Sequence, residues 1–157
     1  MDIVLLIVTA VVVLYMTVFM YKSIPESLSA TYYMSGSRSW VFVLFMVSVA
    51  VLLYPVWLSV SQESHRFLVF LSCASLLFVA SSPCFREELQ GKVHYSAAAV
   101  CCLCVFLWQI LEGLWDVTLC FVFIAGILIL QNRTKWCWWL ECAAIGSLLA
   151  NLWRLMI

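Results

Sequence analysis

The chain has 157 residues, of which 66% are hydrophobic and 10% are charged, and its formal net charge at pH 7 is zero. A soluble domain of this length leaves much of its surface in water and carries about 25% charged residues, so it could not bury this much apolar surface. The composition therefore predicts an all-α integral membrane protein. The chain has no basic tail and no acidic run, which excludes nucleic acid as an expected partner.

Six apolar stretches are candidates for membrane-spanning helices, which need about 20 mainly apolar residues and at least about 17. They are residues 3–21, 40–60, 67–83, 93–111, 115–131 and 136–156. The third and fifth stretches are at the lower limit of length. We expect a single transmembrane domain over residues 1–157, a compact polytopic bundle of about six transmembrane helices with short loops. A bundle of four or five spanning helices with one re-entrant segment is the alternative.

The basic residues fall mainly on one side of this predicted bundle. The connections after the first, third and fifth stretches hold six of them, and the other side holds two. The six are Lys22, Arg38, Arg86, Lys92, Arg133 and Lys135, and the two are Arg66 and Arg154. Because cytoplasmic loops carry the excess of lysine and arginine, we expect the six to face the cytoplasm. Both termini are then expected on the non-cytoplasmic side of a bacterial inner or plasma membrane.

The longest connection, residues 22–39, is rich in hydroxyl side chains and reads KSIPESLSATYYMSGSRS. Either Ser27 or Ser29 can start a short interfacial helix within it. The simpler interpretation is an interfacial loop with Tyr32 and Tyr33 at headgroup depth, which we favour because such loops are the norm. The alternative hypothesis is a polar loop that folds into the mouth of the bundle and binds a headgroup or a partner.

Two ionisable residues lie within predicted spans near the same side. His94 is at the start of the fourth stretch, and we interpret it first as an interfacial histidine that bonds a neighbouring loop. Glu141 lies about 7–8 Å along the sixth helix, at 1.5 Å per residue. An ionisable residue inside a span suggests a functional site, although a structural ion pair is an equal alternative. The expected partners of Glu141 are Arg133, Lys135 or His94.

A metal site and a cofactor are not expected. The chain has only two histidines, and the predicted topology places His65 and His94 on opposite sides of the membrane. Catalytic zinc sites take three protein ligands. Sequence motifs for phosphate-binding loops, for serine hydrolases and for zinc proteases are absent as well.

Polar residues also gather at the other predicted side of the bundle. Gln109, Glu112 and Asp116 surround the short turn between the fourth and fifth stretches. Asn151 and Arg154 near the end of the sixth stretch can bind them. We expect a structural lock that joins helix ends.

The favoured function is that of a non-enzymatic accessory or effector protein, which binds lipid or a membrane-protein partner through its cytoplasmic face. The candidate binding residues are Glu26, Ser29, Tyr32, Tyr33, Arg38, Arg86 and Arg133. One alternative is a channel or transporter formed by a homo-oligomer. The other is an intramembrane lipid-modifying enzyme, whose catalytic candidates are His94 with Glu87 or Glu141 as its acidic partner.

Overall fold

The structure is a computed structural model that describes residues 2–83 and 85–157, and these residues form helices but no strands. Seven α-helices follow in the order α1 Asp2–Lys22, α2 Ala30–Met34, α3 Trp40–Val60, α4 Arg66–Ser81, α5 Glu88–Leu111, α6 Trp115–Gln131 and α7 Trp136–Met156. Single turns of 3₁₀ helix at Gly36–Arg38, Glu63–His65 and Arg133–Lys135 lie immediately before α3, α4 and α7. The all-α bundle that the sequence predicts is confirmed.

The six long helices lie close to the six predicted apolar stretches and differ mainly at two ends. α5 begins at Glu88, whereas the sequence predicts a start at residue 93. The two differ because the first turn of α5 is polar, and hydropathy marks the apolar run and not the helix start. α4 ends at Ser81 rather than at Pro83, since a proline disfavours the helical conformation in the residue before it. The short helix that the sequence predicts in the first connection is α2, which begins at Ala30.

Four helical segments are long and apolar enough to cross a membrane, namely Asp2–Lys22, Gly36–Val60, Glu63–Ser81 and Glu88–Leu111. α6 is also apolar but has 17 residues. The outward faces of the helices are hydrophobic: Leu14 on α1 is 66% exposed, and Phe123 on α6 is 70% exposed. Extensive exposed apolar surface marks an interaction site in proteins, so this architecture is compatible with a membrane location.

Five helices surround the axis of the bundle, and α6 lies outside them. α1, α3, α4, α5 and α7 all contribute side chains to one central cavity, whereas α6 packs mainly against α7. Gly146 permits this close packing, because a Cβ atom there would lie 2.6 Å from Cε1 of Phe121 on α6. On the other side of the axis, the rings of Trp57 and Trp108 meet edge to face at 5.3 Å and join α3 to α5.

The connections α1–α3, α4–α5 and α6–α7 meet at one end of the bundle, which we call the basic end. It carries six of the eight lysine and arginine residues of the chain. The backbone N–H of Trp138 donates to the carbonyl oxygen of Glu26 at 3.1 Å. The backbone N–H of Arg86 donates to the hydroxyl of Tyr33 at 3.2 Å. The first connection, residues 22–39, therefore contacts the first turn of α7 and the α4–α5 connection directly.

Candidate functional site

The first connection folds into the end of the bundle instead of lying along its surface. Ser29 is 5% exposed and Thr31 is fully buried. The Thr31 hydroxyl lies 2.6 Å from the Tyr15 hydroxyl of α1, and it donates to the carbonyl oxygen of Leu28 at 2.6 Å. The Ser27 side chain accepts a hydrogen bond from the N–H of Ala30 at 3.1 Å. These bonds give the connection the inward conformation that the second sequence-based interpretation expects, whereas the binding of a headgroup or partner in that interpretation stays a prediction.

His94 holds this connection from the side of α5. Its Nε2 lies 2.7 Å from Oγ of Ser29, and its Nδ1 lies 2.9 Å from the carbonyl oxygen of Ser82. A carbonyl oxygen only accepts hydrogen bonds, so Nδ1 carries a proton and, in the neutral ring, Nε2 accepts from the Ser29 hydroxyl. Phe85 stacks on the imidazole with ring centroids 5.0 Å apart. His94 therefore hydrogen-bonds a neighbouring loop, as the favoured sequence-based interpretation of this residue expects.

The backbone of the α4–α5 connection passes close to α5, and Gly91 makes this possible. A Cβ atom on Gly91 would lie 2.5 Å from the carbonyl oxygen of Phe85. Since the obstacle is backbone, a side chain at residue 91 would displace Phe85. The glycine thus permits the position of Phe85, whose ring stacks on His94.

Glu141 holds the same connection from the side of α7. Its Oε2 accepts a hydrogen bond of 2.6 Å from the backbone N–H of Leu28, the residue before Ser29. Among the described residues, Glu141 forms no ion pair, so the expected partners Arg133, Lys135 and His94 are replaced by a backbone amide. The reason is geometric, because Arg133 and Lys135 lie in the 3₁₀ turn before α7 while Glu141 lines the central cavity.

Tyr33 and Arg86 form the outer surface above these buried groups. The guanidinium carbon of Arg86 lies 4.2 Å from the centroid of the Tyr33 ring, a cation–π contact. Tyr33 also meets the edges of Tyr32 and Phe85, with ring centroids 5.2 Å and 5.0 Å apart. Tyr33 thus joins the first connection to the α4–α5 connection, and Tyr32 packs beside it.

The remaining predicted site residues are exposed at the basic end and do not join this cluster. The Glu87 side chain accepts from Gln90 at 3.2 Å and forms no hydrogen bond with His94. Glu26 contributes its backbone carbonyl, and its side chain is exposed. Arg38 and Arg133 are exposed and form no ion pair with any described residue.

A small cavity of about 70 Å³ lies along the axis, below the first connection. Ser29 and Glu141 line it at the basic end, and Trp57 lines it near the opposite end. The other lining side chains of the described chain are aliphatic, aromatic or sulfur-containing. The indole N–H of Trp57 has no hydrogen-bond partner among the described residues. This volume is large enough for a few water molecules but is far below the volume of a drug-sized ligand site.

The end opposite the basic end contains a separate set of polar contacts. Arg154 binds both carboxylate oxygens of Asp116 at 2.7 and 2.6 Å. Oε1 of Gln109 accepts from Asn151 and from Thr118, each at 2.8 Å. These contacts form the helix-end lock that the sequence predicts.

Glu112 has a different partner from the one expected in this lock. Its Oε1 lies 3.1 Å from Nδ1 of His65 and accepts from the N–H of Gln62 at 2.9 Å. His65 and His94 lie at opposite ends of the bundle. Within the described part of the chain, no group of three histidine, cysteine, aspartate or glutamate side chains could hold a metal ion.

Four buried hydroxyl groups are missing from the site residues that the sequence predicts. They belong to Tyr15, Thr31, Ser61 and Thr118, and each bonds another helix or connection. A tyrosine in the middle of an otherwise apolar helix is a usable signal, because a buried phenol normally requires a partner. Single serine and threonine residues give no such signal, since they bond their own helix equally well.

Comparison of the chain with protein-family models, with curated proteins and with solved structures finds no match.

The Glu141 contact predicts a difference between two substitutions. Glu141→Ala removes the acceptor of the Leu28 N–H, and an unpaired buried donor costs about 1–3 kcal/mol. We expect amide hydrogen exchange across residues 23–35 to accelerate by roughly tenfold or more in detergent micelles. Glu141→Gln keeps a carbonyl oxygen in place and should exchange like the unmodified protein. Equal protection in all three proteins would contradict the assigned contact.

Proposed function

We propose that the protein is a non-enzymatic accessory or effector protein of the membrane, which binds its partner through the basic end. In this proposal the six long helices cross the bilayer, the basic end faces the cytoplasm, and both termini lie on the other side. The distribution of basic residues, six against two, supports this orientation. α6 and α7 are included as spans because they pack along each other as an antiparallel pair.

The observation that carries this proposal is the anchoring of the first connection by His94 and Glu141. The buried polar groups of the cluster bond one another, so they present little free hydrogen-bonding capacity to a substrate. The outer surface of the basic end is fixed by this anchoring, and it carries exposed cations. Lys22, Arg38 and Arg133 form no ion pair with any described residue. A surface of this kind favours an anionic partner.

The channel alternative has less support from the same contacts. The central cavity is narrow, and Ser29 and Glu141 contribute the only hydroxyl and carboxylate groups among its described lining residues. Ion pathways are lined by rings of carbonyl or charged groups.

A photo-crosslinking residue placed at Thr134, which is exposed at the basic end, tests the proposal in the native membrane. We expect a discrete crosslinked species from position 134 and none from Ser64, which is exposed at the opposite end. The species should weaken at least severalfold with Arg133→Gln, because that cation is next to the probe, and persist with Arg66→Gln. Crosslinking that is absent at both positions, or equal at both, would overturn the proposal.

A second candidate function, hydrolysis of a lipid ester, is favoured by the geometry of Ser29 and His94. The distance of 2.7 Å from Ser29 Oγ to His94 Nε2, with Nδ1 oriented by the Ser82 carbonyl, resembles a nucleophile with its general base. In such a reaction the Ser29 oxygen attacks the ester carbonyl while its proton passes to Nε2, and the ester C–O bond breaks as the leaving alcohol takes that proton. Water then hydrolyses the acyl-serine, which releases the carboxylic acid and restores the Ser29 hydroxyl. This pairing differs from the sequence-based hypothesis, in which His94 acts with Glu87 or Glu141.

A fluorophosphonate probe, which reacts with activated serine hydroxyls, separates the two candidates. Because Ser29 is buried in the end of the bundle, we expect no labelling of this residue in the folded protein. Labelling that Ser29→Ala abolishes and Ser27→Ala retains would establish a hydrolase and overturn the non-enzymatic proposal.

A further inference from the structure

An apolar groove of about 820 Å³ runs along the outside of the bundle between α1 and α3. Its walls are exposed aliphatic side chains, which include Leu14 and Val18 on α1 and Leu44 on α3. Its floor is formed by the rings of Tyr15 and Phe45, which stack at 3.8 Å and 6°. The Tyr15 hydroxyl bonds Thr31, so the ring itself is the part that lines the groove.

The length of the groove matches one leaflet of a bilayer. On α3 it extends from Val41 to Leu52, and on α1 from Lys22 back to Val11. Eleven residues of α-helix measure about 16 Å, and half of the hydrocarbon core is about 15 Å. A groove that begins at the basic end therefore ends near the middle of the membrane, where an acyl chain also ends.

The mouth of the groove at the basic end is positively charged. Lys22 and Arg38 line it together with Ser35 and Ser37, and no carboxylate is among its described lining residues. Neither cation forms an ion pair with any described residue. Arginine, lysine and hydroxyl groups at the end of an apolar groove are the chemistry that a phosphate headgroup requires.

We propose that this groove binds one anionic phospholipid, with its phosphate at Lys22 and Arg38 and one acyl chain along Tyr15 and Phe45. The inference deepens the proposed function and rests on it, because the basic end must lie at the headgroup level of one leaflet. It names a lipid as a ligand of that end, at a site distinct from the α6–α7 connection that carries Thr134.

Native mass spectrometry of the detergent-solubilised full chain tests this site with two lipids that share the same acyl chains, phosphatidylglycerol and phosphatidylcholine. We expect a single phosphatidylglycerol adduct at lipid concentrations where phosphatidylcholine binds at least about tenfold more weakly. The double variant Lys22→Gln/Arg38→Gln should lose this preference. Arg133→Gln/Lys135→Gln removes two cations from the same end but outside the groove, so it should keep the preference. Leu44→Trp should displace the lipid by filling the groove.

Three outcomes would overturn the lipid site. They are equal binding of the two lipids, equal loss of the preference in the groove variant and the control variant, and a change of oligomeric state in Leu44→Trp without lipid loss. The last outcome would assign the groove to a second copy of the chain. If lipid binding fails while crosslinking from residue 134 persists, only this inference fails. If crosslinking from residue 134 fails, the proposed function fails, and the lipid inference that rests on it fails as well.

Discussion

The backbone of residues 23–35 lies against the end of an apolar bundle, where every buried polar group requires a partner. An N–H or hydroxyl group left unpaired in such a place costs one to several kcal/mol, about as much as a strong stabilising contact. Glu141, His94 and Tyr15 meet this requirement at Leu28, Ser29 and Thr31, which lie within four residues of one another. The partners come from α7, α5 and α1, so one short segment joins three helices that are distant in sequence.

The properties of the basic end follow from this anchoring. Because the first connection is fixed from within, Tyr33 is held under Arg86, and Arg38 is held beside the end of α1 that carries Lys22. The two cations thus lie together at the mouth of the α1–α3 groove, where no carboxylate is among the described lining residues. In our proposal this charge attracts an anionic headgroup. The anchoring and the groove share Tyr15, whose hydroxyl bonds the connection while its ring lines the groove.

The sequence predicts the long helices well, because an apolar run of about 20 residues is typical of a helix and has few alternative structures. The same pattern misplaces the start of α5, since Glu88 belongs to the helix without being apolar. The sequence places His94 and Glu141 at one end of the bundle, where both bond the first connection, and the role of this cluster as a site stays a prediction. Its residues His94 and Glu141 stood out because ionisable groups are costly in apolar surroundings. Their partners were not predictable, because a backbone amide such as that of Leu28 has no signature in the sequence.

A double-mutant cycle between Ser29 and His94 tests the central claim, that the anchored connection organises the basic end. The free energy of unfolding would be measured in detergent for the unmodified protein, Ser29→Ala, His94→Ala and the double variant. Residues that share a buried hydrogen bond show a coupling energy of about 0.5–3 kcal/mol. We expect a coupling energy of at least about 1 kcal/mol. In the control cycle Ser81→Ala takes the place of Ser29→Ala, and it should show no coupling with His94→Ala, since the Ser81 hydroxyl bonds Phe78 in its own helix. Additive effects of Ser29→Ala and His94→Ala would contradict the account.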